Sequence, residues 1–104
     1  MKRTIENLQR ALQLLGLHER ELPRPHVALV HSARANVFNA TALLELHPDR
    51  PEIRSSVIEL LLKAELALAA VDTPATDLSL RIADQLLLEA RVRVEALNAE
   101  TVAG

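Results

Sequence analysis

Apolar side chains recur along this chain at intervals of three and four, the period of an α-helix that buries one face. Ile5, Leu8, Leu12 and Leu15 define a first helix over about 4–15. Gly16 stands where a left-handed cap would close it, with Leu17 folding back on the last turn. Pro23 and Pro25 break the pattern, and Pro25 suits the first position of a second helix over about 25–47. That helix shows the face Leu29, Val30, Ala33, Val37, Ala40 and Leu44. Pro48 and Pro51 bracket a turn, after which a third helix runs over about 51–71 with Glu52 in its first turn. Its face is Ile53, Val57, Leu60, Leu61, Ala64 and Leu68. Asp72-Thr73-Pro74 reads as a stop and a restart, with Thr73 as N-cap, and a fourth helix over about 74–98 carries Leu80, Ala83, Leu87, Ala90, Val94 and Leu97. Glu100 to Gly104 is expected to fray.

Three helices of matched length joined by short connectors imply antiparallel neighbours. The fold class is therefore all-α: an up-down antiparallel helical bundle, one short N-terminal helix plus three long helices, in a single domain over 1–104. Positions 60–68 and 86–94 echo each other, with Lys63 against Glu89 and Glu65 against Arg91. Two leucine-rich core helices converging on one pattern account for the echo, since nothing outside that window aligns with it.

A helix in a small bundle needs one apolar face, and here there is a second. On the third helix it is Ile58, Leu62, Leu66 and Ala69, and on the fourth Leu78, Leu88 and Val92. The second helix adds Ala28, Ala35 and Ala42 at heptad spacing, with Phe38 close by, and small residues so spaced allow close helix approach. A short first helix cannot cover all of this, so the chain is expected to self-associate, most simply as a two-fold dimer, with Ile58, Leu62, Leu66, Leu88 and Val92 at the interface.

Composition narrows the function. Leu and Ala supply over a third of the residues, whereas Phe38 is the only aromatic and there is no Cys. Disulfide and thiolate chemistry are thereby excluded, and few of the residues that usually line ligand pockets are present. No apolar run is long enough to span a bilayer, and a cytoplasmic location is the default expectation. His26 and His31 are five residues apart, a poor spacing for shared metal ligation, and His47 sits a helix length away. No Glu-x-x-His pair, glycine-rich phosphate loop or serine–histidine–carboxylate arrangement is readable, so no enzyme activity and no cofactor is expected. His31, Arg34, Asn36 and Asn39 read as a solvated polar strip on the second helix.

Charge gives a second possibility. The net charge is −2, yet residues 1–34 hold six of the basic side chains and only three acidic ones. Arg3, Arg10, Arg20, Arg24, Arg34 and Arg54 are the candidates for a basic face that contacts duplex RNA or DNA through backbone charge alone. The function expected first is a non-enzymatic interaction module that self-associates and docks a partner protein on apolar helix faces. A nucleic-acid-binding helical dimer is the alternative.

Overall fold

A computed structural model describes residues 2–18, 24–71 and 78–103. They form four helices: α1 (Lys2–His18), α2 (Arg24–Leu46), α3 (Pro51–Ala69) and α4 (Leu78–Ala103). Each packs on the next and α4 closes back on α1, while the backbones of the diagonal pairs α1–α3 and α2–α4 stay further apart. Gln9 meets Glu45 while Gly16, further along α1, meets Arg34 earlier on α2, and Ser55 meets Asn98 while Glu65 meets Arg91, so these neighbours are antiparallel. The result is an up-down four-helix bundle, 46 × 22 × 20 Å.

Two sequence expectations at helix ends give way here. Gly16 is not a left-handed cap: no described glycine has positive φ, and α1 continues through it to His18. The side chain of Arg34 on α2 lies over Gly16, giving that turn a neighbour on which to continue. The first helix is thus a full member of the ring rather than a short addition. At the other end, α4 continues to Ala103, past the point where fraying was expected. The Thr73–Pro74 restart lies outside the described residues.

The turn between α2 and α3 is built locally. Arg50 is extended, Pro51 takes the first helical position where its missing N–H costs nothing, and the N–H groups of Ile53 and Arg54 donate to the Arg50 carbonyl at 3.1 Å. Glu52 in the first turn complements the helix dipole. Helix α3 ends at Ala69, and the Ala70 N–H still reaches the Leu66 carbonyl at 3.2 Å.

The core follows a strict three–four alternation, and residue size alternates with it except at Val57, which precedes Leu61 on α3. Leu8, Leu15, Val30, Val37, Leu44, Leu61, Leu68, Leu80, Leu87 and Val94 are the large members, and Ala11, Ala33, Ala40, Ala64, Ala83 and Ala90 stand between them. Large against small lets side chains interdigitate while backbones come close, which fills a narrow rod without any ring.

The two helical hairpins repeat one another. Thr4, Leu8, Ala11 and Leu15 of α1 are matched at constant spacing by Val57, Leu61, Ala64 and Leu68 of α3. Val30, Ala33, Val37, Ala40 and Leu44 of α2 are matched likewise by Leu80, Ala83, Leu87, Ala90 and Val94 of α4. Residue identity recurs as well: Ile5, Glu6, Leu8, Ala11 and Leu15 return as Ile58, Glu59, Leu61, Ala64 and Leu68, and Ala33, Ala40 and Glu45 as Ala83, Ala90 and Glu95. The repeat was missed in the sequence because the offset differs between the two helices of a hairpin. The shorter echo between α3 and α4 has its own outcome, since its matched residues Glu65 and Arg91 touch.

Candidate functional site

The outer face of α3 and α4 is organised around one ion cluster. Arg91 on α4 donates from Nε and Nη2 to the two carboxylate oxygens of Glu65 on α3, the second bond at 3.2 Å, and from Nη1 to Glu95 one turn along at 2.8 Å. The Arg91 and Glu65 side chains keep 18% and 17% of their exposure, so the pair is mostly shielded and its fork geometry is two-pronged. Hydrogen bonds to Glu65 and then to Glu95 raise the Arg91 pKa further above its ordinary value. The Asp84 carboxyl is raised from its ordinary value, first by partial burial and then by the charge of Glu65.

Leucines and a valine stand around this cluster. Leu62 on α3 and Leu88 on α4 stand one turn before Glu65 and Arg91, and Leu66 and Val92 directly follow those two residues in the sequence. Their exposures are 40%, 70%, 37% and 51%. Ile58, expected with them, instead packs partly buried against the core. It stands one turn before Leu62. Helix α1 leaves this face open because it docks on α2 and α4 at the other side of the ring.

A second apolar region lies between α1 and α2. Phe38 is 63% exposed. A surface cavity of about 250 Å³ beside it is lined by Gln9, Leu12, Phe38, Thr41, Ala42 and Glu45. The Thr41 hydroxyl donates to the Val37 carbonyl at 2.7 Å, and Gln9 Nε2 donates to Glu45 Oε1 at 3.1 Å. On the other flank of Phe38, a cavity of about 240 Å³ is lined by His31, Arg34, Ala35, Phe38 and Asn39. The polar strip expected on α2 therefore borders an apolar ring. Asn36, expected on the solvated strip, is half-buried.

The described candidates for a basic face are spread over three helices. Arg3 and Arg10 are exposed on α1, and Arg34 lies over Gly16. Arg54 is on α3, diagonal to α1, and its Nε donates to the Pro48 carbonyl at 3.3 Å. Arg20 and the side chain of Arg24 lie outside the described residues. Among the described residues no group of His, Asp and Glu is arranged to hold a metal ion, and no helix is long and apolar enough to cross a membrane.

Spacing singled out Leu62, Leu66, Leu88 and Val92, and all four are exposed. It missed the α1–α2 groove, whose lining alternates polar and apolar residues and leaves no stripe. The hairpin repeat is the signal that finds it. No protein-family model matches the chain, and no curated protein or solved structure matches it either.

Proposed function

We propose that this protein is a non-enzymatic helical interaction module that self-associates as a two-fold dimer through the α3–α4 face, leaving its other faces for a partner protein. The observation that carries this reading is the exposure of Leu62, Leu66, Leu88 and Val92 around a shielded Arg91–Glu65 pair, on a bundle whose core is complete without them. Arg ringed by aliphatic residues has the composition of an interface centre. A two-fold contact needs a self-complementary patch, and leucines beside a cluster holding both charge signs satisfy that.

Magnitudes bound the strength. The four side chains are on average about half exposed, so covering them contributes about 3–6 kcal/mol per copy, and roughly twice that for a pair. Association itself costs several kcal/mol. The balance fits a dimer that dissociates on dilution rather than an obligate one. Leu66→Glu and Leu62→Glu place a charge in the middle of the patch without touching the core. Each is expected to halve the particle mass in light scattering while helicity is retained. A parent protein whose mass is that of one chain throughout the accessible concentration range overturns the proposal.

A further inference from the structure

The repeat of the two hairpins supplies an internal template for the α1–α2 groove. Residue for residue, Gln9, Leu12, Phe38, Thr41, Ala42 and Glu45 correspond to Leu62, Glu65, Leu88, Arg91, Val92 and Glu95. In the second hairpin the groove between the helices is filled from within, because Arg91 lays its guanidinium across it and binds Glu65 and Glu95. In the first hairpin the filling residue is Thr41, whose short side chain turns back to its own helix. The carboxylate that matches Glu95 is kept as Glu45, and the cavity of about 250 Å³ lies open beside it.

We infer that the α1–α2 groove is a receptor for an arginine side chain of a partner protein, which takes the place that Arg91 fills in the second hairpin. Glu45 accepts the guanidinium, as Glu95 does from Arg91. The aliphatic stem lies on Leu12 and Ala42. Phe38 offers the face of its ring to the cation, an attraction that Leu88 at the matching position does not provide. Gln9, now donating to Glu45, turns its amide so that its oxygen accepts from the incoming group. A carboxylate, an amide oxygen and an aromatic face around an apolar floor suit a planar, delocalised cation better than a compact ammonium ion.

Nuclear magnetic resonance titration with N-acetyl-arginine amide tests this directly, with N-acetyl-norvaline amide as the matched compound lacking the guanidinium. Saturable shifts are expected at Gln9, Leu12, Phe38, Thr41, Ala42 and Glu45 with the arginine compound alone. Glu45→Gln, at an exposed position, is expected to weaken binding about tenfold through loss of one charge-assisted contact. Phe38→Leu, which copies the second hairpin, is expected to weaken it roughly two- to fivefold. Thr41→Arg fills the groove from within and is expected to block the titration. Equal shifts with the norvaline compound, an affinity left unchanged by Glu45→Gln, or no saturable shift in the groove each overturn the inference. None of these readouts depends on the mass of the particle, so the result stands apart from the dimer proposed above.

Discussion

Replacing Gly16 with alanine separates two readings of the end of α1 by the sign of one number. Gly16 lies within a helix that runs to His18 and has no positive φ. Glycine in a helix interior is about 0.8–1 kcal/mol less favourable than alanine, through the backbone freedom it loses on folding. Gly16 is two residues from the helix end, where that difference is diluted, so about 0.5–1 kcal/mol is expected from Gly16→Ala. The new methyl group meets no obstacle: its nearest neighbours are Cζ and Nε of Arg34 at 3.7 Å and Nη2 at 3.8 Å, ordinary contact distances to the movable end of a long side chain. For a domain of this size 1 kcal/mol moves the melting temperature by about 4–8 °C, so a rise of roughly 2–8 °C is expected. Far-ultraviolet circular dichroism through a reversible thermal transition reads it, and urea unfolding with an unchanged slope shows that the native state is the same. Were Gly16 a left-handed cap, alanine there would cost about 1 kcal/mol, and Tm would fall by several degrees. A fall of that size refutes the continuous helix.

Arg91→Ala strands Glu65 in a shielded position with Asp84 near it, and a loss of about 1–3 kcal/mol is expected in urea unfolding. The double variant Glu65→Leu with Arg91→Thr copies Leu12 and Thr41 of the first hairpin, and is expected to recover most of that loss. A double variant no more stable than Arg91→Ala would show that the repeat is not interchangeable at this layer. Asp84 binds its proton more tightly folded than unfolded, so its contribution to stability declines as pH rises from 3.8 through its raised folded value. Asp84→Asn is accordingly expected to be more stable than the parent at neutral pH and to converge with it below 3.8, and melting curves across that range would reverse the assignment if the variant were weaker at pH 7.

The helical fold was legible because leucine and alanine recur at one period over most of the chain, and prolines mark the breaks. Leu29, Val30, Ala33, Val37, Ala40 and Leu44 were readable as one face, and all but the partly buried Leu29 are buried. Where two apolar residues were adjacent the pattern could not choose: Leu60 and Leu61 both fit the stripe, and only packing puts Leu61 inside and Leu60 at the edge. In α1, Ile5 and Leu12 looked central, but the alternation carried by Thr4, Leu8, Ala11 and Leu15 won. Thr4 is hard to see as a core residue because its hydroxyl masks a methyl that packs. Gly16 misled for a different reason: local preference favours a stop, and the neighbouring helix supplies a reason to continue. At the surface, single residues were legible and their combination was not. Exposure of Leu66 follows from one helix, whereas the Arg91–Glu65 bridge needs the register between two.

Confining the single aromatic ring to the surface makes the interior optically silent. With no tryptophan or tyrosine and Phe38 largely outside, near-ultraviolet dichroism carries no signal from the packed layers. A tightly interlocked bundle and a loosened one with its helices intact would give the same near-ultraviolet spectrum. Methyl resonances of the buried leucines, valines and alanines are the spectroscopic handle on side-chain order. The weak phenylalanine bands, conversely, report one place only, the mouth of the groove beside Ala42.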